Sequence, residues 1–444
     1  MLCIDNIKFE CECQGFKATN IQISDDQEQS AIFFESTHKT KEVRCPECGG
    51  DVYIHGVHNT HLTDIPIWHG INNQFVFFGY RYKCQSCGKT FVKEVPFQYP
   101  GTRITDRAAN WIKGYLRNKV SIRSIQNLTG IHWETIRNIQ KKYIKEELEA
   151  RELEHKEKQY RPRFLAVDEF AIHKGHSYAT SVMDLESGEV LWVGKGRTLA
   201  DFDRFFKETD PSFLAGVIAV AMDMNASYNK LVSKYLPKAS IVYDRYHMQA
   251  QYSREVLGVV RLEEARKHNV KSKEMLNNIT QEMTKEEKRE IKAMAKSQMK
   301  EYSALKKSRW TLLMNRENLS DERDSHLQTI LDNHHDLAVC YAMKEEMCDL
   351  FKLTDPAVAE KGWINWYSAA RSSGIPALVK FAELKEKRLP GLIAHASFPI
   401  STSKLEGFNN KIKVVKRIGF GYRDDDFFFS LIRFISIPSS HTFP

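Results

Sequence analysis

The 444-residue sequence predicts an α/β protein in which a cysteine-rich domain and a small helical domain precede a larger α/β domain with a helical insertion. Two motifs with paired cysteines lie near the N-terminus. Further along, three apolar segments each run into an aspartate, as buried strands of an α/β sheet do. The stretch after them is rich in Lys, Glu, Leu and Met and poor in Gly, which is typical of amphipathic helices. A chain of this length is expected to form two to four domains.

Composition and charge limit the class of protein. Hydrophobic residues make up 42% and charged residues 27% of the chain, as in an ordinary globular protein. The sequence has no run of about 18 apolar residues and no basic leader followed by an apolar core, so we expect a cytoplasmic protein without a membrane partner. The net charge of +8 is mild, so nucleic-acid binding depends on where the charge lies. Nine cysteines, an odd number, favour metal binding over a disulfide framework.

Two Cys-x-x-Cys-Gly motifs predict a structural Zn²⁺ site in a zinc ribbon that spans residues 1–100. The first motif contains Cys45 and Cys48, and the second contains Cys84 and Cys87. Each motif can form a tight turn that directs two thiolates to one point, and a structural Zn²⁺ takes four such ligands. Strand-like runs between the motifs predict a hairpin there. Two unrelated thiol pairs are the alternative, which the glycine after both motifs disfavours.

A basic helical segment at residues 101–150 predicts a helix-turn-helix domain. Helices are expected over residues 106–117, over residues 121–128 and from residue 132 through residue 142, with a glycine in the turn before the third. Residues 101–147 hold ten Lys or Arg against four Asp or Glu, an excess of six positive charges. The side chains expected to contact DNA are Arg123, Trp133, Thr135, Arg137, Asn138 and Lys141. The alternative is a three-helix bundle with a solvated basic face.

Strands that end in aspartate predict an α/β sheet over residues 160–250. The segments and their acids are Phe164–Val167 before Asp168, Val217–Met222 before Asp223, and Ser240–Tyr243 before Asp244. Ligand groups collect at the carboxyl ends of parallel strands, so these acids are expected at one edge. The order of three strands, helix, strand, helix and strand is that of the ribonuclease H-like fold, in which the acids of the first and fourth strands are neighbours. A solvated turn after a core strand is the alternative for any single acid.

The rest of the chain is expected to form a helical insertion over residues 251–395 and a C-terminal helix of the α/β domain within residues 396–444. Trp310 in the insertion is expected to pack in a core rather than to stack on an unpaired base. Near the C-terminus, the side chains expected on one apolar helical face are Leu405, Phe408, Ile412 and Val415, and those expected on another are Glu406, Asn410 and Lys413. Glu406 would then complete an acid cluster with Asp168 and Asp223, although a solvated glutamate is the usual alternative.

Three stretches together resemble insertion-sequence transposases of the ISL-three type, a bacterial family of DDE transposases. They are VDEFAIHKGHSYATSVMDLESGEV, the DRYH sequence of Asp244–His247, and LEGFNNKIKVVKRIGFGYRD. Members of that family carry an N-terminal zinc-binding domain, a helix-turn-helix and a ribonuclease H-like domain with a helical insertion. The resemblance therefore covers nearly the whole chain.

The resemblance implies a catalytic site. Asp168, Asp223 and Glu406 match the family's catalytic acids, with Asp244 as the alternative second acid. The supporting residues expected around them are Lys174, His247 and Asn410. Such acids would bind two Mg²⁺ or Mn²⁺ ions and catalyse cleavage and strand transfer of DNA.

The implied partners are the terminal inverted repeats of an insertion sequence and a target DNA. Pairing two ends implies a homodimer or higher oligomer on DNA, in the bacterial cytoplasm and associated with the nucleoid. Two alternatives remain at this point. One is a DNA-binding regulator derived from an inactive transposase, and the other is a ribonuclease H-like nuclease without strand transfer.

Overall fold

The computed structural model describes residues 15–25, 29–37, 40–65, 72–173, 177–419 and 421–438. The chain forms two compact units. The first comprises Met1–Glu154 and Lys411–Ile435, and the second comprises His155–Asn410 and Ser436–Pro444. Lys174, one of the predicted supporting residues, lies outside the described ranges. Within those ranges, no helix has both the length and the apolar composition needed to cross a membrane.

The strands form two sheets, one in each unit. In chain order the strands are β1 (Phe16–Ile23), β2 (Gln29–Ser36), β3 (Val52–Asp64), β4 (Asn72–Cys84), β5 (Thr90–Val92), β6 (Phe164–His173), β7 (Ser177–Asp184), β8 (Val190–Lys195), β9 (Ala219–Met222) and β10 (Ser240–Tyr243). The helices are α1 (Asp106–Arg117), α2 (Ile122–Thr129), α3 (Trp133–Glu157), α4 (Leu199–Glu208), α5 (Pro211–Leu214), α6 (Ala226–Tyr235), α7 (Arg245–Tyr252), α8 (Gly258–Asn277), α9 (Lys285–Lys307), α10 (Arg309–Leu313), α11 (Asp321–Asn333), α12 (His335–Leu350), α13 (Pro356–Ser372), α14 (Pro376–Glu386), α15 (Leu389–Ser397), α16 (Ser403–Ile418) and α17 (Asp425–Ser436).

The sheet of the first unit has the order β1-β2-β4-β3, and β5 pairs with β4. β3 and β4 form a long antiparallel hairpin in which Val52 pairs with Cys84. The hairpin predicted between the two cysteine motifs is therefore present, and its register brings both motifs to the same end. Alternating aromatic residues line the core face of this sheet, where the rings of Phe34 and Phe77 stack with centroids 4.6 Å apart.

The three helices α1 to α3 follow the order expected of a helix-turn-helix. Side-chain oxygens cap the first two helices, because Thr105 accepts a hydrogen bond from the Ala108 N–H and Ser121 accepts one from the Ser124 N–H. Gly130 ends α2 in the left-handed conformation, with φ of 68°. These caps turn the chain so that the buried faces of the three helices share one apolar core.

Helix α3 extends beyond residue 142, the last residue of the helix predicted there. It continues through the charged stretch to Glu157 as one helix. Ion pairs four residues apart, Lys142 with Glu146 and Lys145 with Glu149, support the added turns.

Residues Lys411–Ile435 belong to the first unit. The sequence pattern places residues 396–444 in the α/β domain, whereas in the structure the ring of Phe434 lies 5.4 Å from that of Tyr143 on α3. The Lys411 ammonium also donates a hydrogen bond to the Ile435 carbonyl at 3.1 Å, which ties the ends of this segment together.

The sheet of the second unit has the order β10-β9-β6-β7-β8. β9 pairs in parallel with both β6 and β10. β7 pairs antiparallel with both β6 and β8. The carboxyl ends of β6, β9 and β10 therefore meet at one edge. An apolar core with Leu165, Phe202 and Val220 packs α4 and α6 on this sheet.

The second unit also contains a helical layer built around aromatic residues. Tyr252, Trp363 and Trp366 are fully buried in it. The expectation that Trp310 packs in a core is wrong, because 69% of its surface is exposed. Its short helix α10 buries only Leu312, two residues along, which leaves Trp310 on the outer side.

Candidate active site and cysteine cluster

Asp168 and Asp223 lie at neighbouring positions on adjacent parallel strands. Ala166 of β6 pairs with Ala221 of β9, and each acid follows two residues later. Asp168 Oδ1 accepts a hydrogen bond from the Glu169 N–H at 2.8 Å. Asp223 Oδ1 accepts one from the next backbone N–H at 2.6 Å. The parallel register thus sets two carboxylates side by side at the sheet edge, as the sequence predicts for acids at strand ends.

The environment of Asp168 opposes its negative charge. Burial raises the pKa of this carboxyl to about 6, and nearby Glu406 pushes the pKa in the same direction. The Glu169 N–H and the neighbouring His247 act against that rise. An ionised Asp168 would therefore be stabilised by added positive charge.

His247 lies between Asp223 and Glu406. Its Nδ1 is 3.6 Å from Asp223 Oδ2, and its Nε2 is 3.4 Å from Glu406 Oε1. His247 is in the first turn of α7, and Glu406 is in the first turn of α16. Two helix starts therefore bring these side chains to the edge of the sheet that carries the aspartates.

Asp244 has a different environment from Asp223. Asp244 is only 2% exposed as a whole residue, whereas 45% of the Asp223 side chain is exposed. Asp244 Oδ1 accepts hydrogen bonds from the N–H groups of Tyr246 and His247 at 2.7 and 3.3 Å. Asp244 Oδ2 accepts two more from Thr402, from its N–H at 2.7 Å and from its hydroxyl at 2.9 Å. Four hydrogen bonds occupy this carboxylate, while Asp223 keeps an accessible oxygen.

Asn409 contacts Asp168 and was not among the predicted site residues. Its Nδ2 donates a hydrogen bond to Asp168 Oδ2 at 2.7 Å, and the residue is 7% exposed. The neighbouring Asn410, which was the predicted supporting residue, is exposed. Asn409 lies four residues after Leu405 and three before Ile412, on the apolar stripe of α16. A polar residue within an apolar stripe was the signal that could have identified it.

Glu169 points away from the acids that surround Asp168. Burial raises the pKa of its carboxyl, and the side chains of Tyr228 and Asn225, on α6 and at its start, oppose that rise. Adjacent residues of a strand face opposite sides of a sheet, which explains the separation from Asp168.

The acid cluster has the donor chemistry of a divalent-cation site. Its carboxylates come from Asp168, Asp223 and Glu406, and hard oxygen ligands suit Mg²⁺ or Mn²⁺. Asn409 Oδ1 is buried beside them without a hydrogen-bond partner. A bound cation would pair with the buried Asn409 oxygen and would stabilise the ionised form of the Asp168 carboxyl, whose pKa burial raises. These residues therefore fit a divalent cation.

The four predicted zinc ligands converge. The Sγ atoms of Cys45 and Cys87 are 3.7 Å apart, those of Cys48 and Cys84 are 3.4 Å apart, and all four lie within 4.8 Å of one another. Four sulfurs at about 2.3 Å from a tetrahedral Zn²⁺ are roughly 3.8 Å apart, so the cluster has the size of such a site. Soft thiolates suit zinc rather than the hard cations that suit the acids.

Backbone geometry prepares the cysteine cluster for thiolates. Gly49 and Gly88 follow the two motifs with φ of 68° and 71°, a conformation that favours glycine. Backbone N–H groups of residues 47 and 48 lower the pKa of Cys45, and those of residues 86 and 87 lower the pKa of Cys84 to about 6. At Cys48 and Cys87 backbone N–H groups also lower the pKa, but hydrogen bonds with the other cysteine sulfurs outweigh them and raise it, so two of the four thiols are favoured for ionisation before a cation binds.

The six predicted DNA-contacting residues fall into two groups. The Arg137 guanidinium lies 5.6 Å from the Trp133 ring and 4.7 Å from the Phe427 ring, and the Lys141 ammonium lies 3.4 Å from Asp424 Oδ2. Arg137 and Lys141 thus contact the C-terminal segment of the same unit, whereas Trp133 contacts Arg137 on its own helix. The other group consists of Arg123 and Asn138, which are exposed, and Thr135, which is half-buried.

Comparisons with known proteins give consistent matches. The family model for DDE transposases of the ISL-three type, described as a transposase, matches residues 165–432. The transposase for insertion sequence element IS1001 from Bordetella parapertussis is 31% identical over 424 residues, which cover 95% of each chain. The transposase for insertion sequence element IS1557 from Mycobacterium tuberculosis, strain H37Rv, is 26% identical over 268 residues, or 59% of this chain and 57% of that one.

Proposed function

Since the chain belongs to the ISL-three-type family of DDE transposases, we propose that it binds the terminal inverted repeats of its own insertion sequence and catalyses metal-dependent cleavage and strand transfer of DNA. The observation that carries the proposal is the convergence of Asp168, Asp223 and Glu406 at one edge of the sheet, linked by His247 and Asn409. The end-sequence DNA, a target DNA and a second copy of the chain are the proposed partners, and the nucleoid is the proposed site of action.

The proposed fold of the second unit is ribonuclease H-like. Three antiparallel strands followed by two parallel ones, in the order β10-β9-β6-β7-β8, support this assignment. The domains proposed with it are a zinc ribbon over residues 1–100, a helix-turn-helix over 101–150, the catalytic domain over 160–250 and 396–444, and the helical insertion over 251–395. Residues 411–435 depart from this division, because they belong to the compact unit that also contains residues 1–154.

The proposed mechanism depends on which residues hold the cations. Asp168, Asp223 and Glu406 would hold Mg²⁺ or Mn²⁺. The chemistry that such ions supply is activation of water or a 3′-hydroxyl and stabilisation of the leaving oxygen in an in-line phosphoryl transfer. The hydrogen bond from Asn409 Nδ2 to Asp168 Oδ2 orients the Asp168 side chain and stabilises its ionised form. His247 orients Asp223 and Glu406 from between them.

Asp223 is the proposed second acid, and Asp244 has a structural role in this proposal. A carboxylate that already accepts four hydrogen bonds would have to give up some of them to bind a cation. Asp223 accepts one backbone hydrogen bond and lies beside Asp168 in the parallel register. The pattern of partners therefore favours Asp223.

The exposed group of recognition residues gives a test of DNA binding. We expect Asn138→Ala to weaken binding to a duplex with the inverted repeats by about 1–3 kcal/mol, because a base-reading amide is lost. We expect Arg123→Gln to lower the slope of log affinity against log salt concentration by about 1, because a phosphate contact is lost. Fluorescence anisotropy at several salt concentrations measures both effects.

The control for this test is Lys300→Gln, which removes an exposed charge from α9. It is expected to bind like the wild type. Unchanged affinity and salt slope in both recognition variants would contradict the assignment of α2 and α3 to DNA.

A further inference from the structure

Thr402 precedes the first residue of α16, and its hydroxyl makes unusual contacts for a threonine at a helix start. It is 1% exposed, and its carbonyl accepts the first hydrogen bond of α16, from the Glu406 N–H at 2.8 Å. A threonine at this position commonly uses its hydroxyl to cap the backbone of its own helix. Here the hydroxyl instead contacts two carboxylates, Asp244 and Glu406.

The contacts of Thr402 are unequal. The hydroxyl oxygen is 2.9 Å from Asp244 Oδ2 and 3.4 Å from Glu406 Oε1. A hydroxyl has one proton to donate, and the shorter contact is the better hydrogen bond. Asp244 therefore accepts the hydrogen bond from the hydroxyl, and the Glu406 carboxylate lies beside the hydroxyl with its charge available to another partner.

Asp244 connects this threonine to His247. One oxygen of the Asp244 carboxylate caps α7 at the His247 N–H, and the other holds the Thr402 N–H and hydroxyl. A single buried carboxylate thus fixes the starts of both helices that deliver Glu406 and His247. The side chains of His247 and Glu406, which those two helices carry, lie 3.4 Å apart.

We propose that Thr402 is a positioning residue which, through the buried Asp244, places Glu406 for cation binding. The inference rests on the proposed function and adds a residue outside the three acids. Outer-shell residues that hold metal ligands in position commonly change metal affinity or activity by 10–100-fold when they are mutated.

The test compares Thr402→Val, which keeps the shape and removes the hydroxyl, with Thr402→Ser, which keeps the hydroxyl. Mn²⁺ binding to the full, zinc-loaded chain is followed by electron paramagnetic resonance without DNA, with Asp168→Asn as the reference for a defective site. Cleavage and binding of end-sequence DNA and thermal denaturation are measured on the same proteins. Thr402→Val is expected to need about tenfold more Mn²⁺ for half-saturation and to cut at least about tenfold more slowly at limiting metal, with end binding unchanged. Thr402→Ser is expected to stay within about twofold of the wild type in both.

Three outcomes would overturn the inference. Wild-type Mn²⁺ binding and cleavage in Thr402→Val would do so, and so would an equal loss in Thr402→Ser. If Thr402→Val does not fold, Thr402→Cys replaces it, because its weaker donor is expected to give Mn²⁺ affinity below that of Thr402→Ser; equal affinities would again overturn the inference. A wild type that neither cuts DNA nor binds Mn²⁺ better than Asp168→Asn would instead overturn the proposed function itself.

Discussion

Asp168→Asn is expected to lower the rate of DNA cleavage by about 10³-fold or more, with binding to the inverted repeats within about twofold of the wild type. The carboxylate is half-buried beside Glu406 and near His247, and cation binding would compensate its charge. The amide keeps the size of the side chain and one hydrogen-bond acceptor but loses the charge that attracts metal. Cleavage of a labelled end-sequence duplex and anisotropy of the same duplex measure the two properties.

Glu169→Gln is the matched control for this substitution. Glu169 is the next residue on β6, has the same charge, and faces the opposite side of the sheet, where the side chains of Tyr228 and Asn225 lower the pKa that burial raises. Its neutralisation is expected to leave cleavage within about tenfold of the wild type. Equal cleavage by Asp168→Asn and the wild type would contradict the assignment of Asp168.

Cys84→Ser is expected to abolish stoichiometric zinc binding and to unfold the end of the hairpin formed by β3 and β4. Structural zinc sites contribute on the order of 10–16 kcal/mol of binding free energy, and this free energy is coupled to folding. In the wild type, the cluster is expected to hold one Zn²⁺ per chain. Zinc content by mass spectrometry and limited proteolysis between β3 and β5 measure the loss.

Cys340→Ala is the control for the cysteine cluster. Cys340 is a buried thiol on α12 in the second unit. Its replacement is expected to leave zinc content and proteolysis of the hairpin unchanged, although a small cavity lowers stability. Full zinc content in Cys84→Ser, or none in the wild type, would contradict the zinc assignment.

The parts of the structure that local patterns determine were predictable. Apolar runs that end in Asp168 and Asp223 indicated buried strands, and the parallel pairing of β6 and β9 places these acids at neighbouring positions. Paired cysteines with a following glycine indicated the cluster, because Cys-x-x-Cys spacing fixes the turn. Capping residues such as Thr105 and Ser121 set the helix starts of the first unit.

The roles that distant contacts determine were not predictable. Asp223 and Asp244 follow similar strands, but they differ in exposure and in hydrogen-bond partners, one of which, Thr402, lies 158 residues after Asp244. The contact of Asn409 with Asp168 was missed for a similar reason, since the residues grouped with Glu406 on one helical face did not include the buried face that contacts Asp168.

The residues predicted to contact DNA also have partners that the sequence did not indicate. The position of Arg137 on α3 gave no indication that Phe427, from the C-terminal segment, would contact it within the same unit. Trp310 was likewise assigned to a core on residue type alone, although Leu312 takes the buried position of its short helix. The sequence therefore indicated many of the helices and strands and the convergence of the four cysteines, whereas the partners of each side chain required the folded chain.

The most direct test is cleavage of a supercoiled plasmid that carries the reading frame's own flanking inverted repeats, by the full wild-type chain with Mg²⁺, with Mn²⁺ or with chelator. The expected result is cutting at the ends of the repeats that requires Mg²⁺ or Mn²⁺, followed by joining of those ends to a target DNA. Cutting without joining would indicate a nuclease and contradict strand transfer. Tight binding to the repeats with no nick in either metal would contradict the central claim and indicate a DNA-binding regulator.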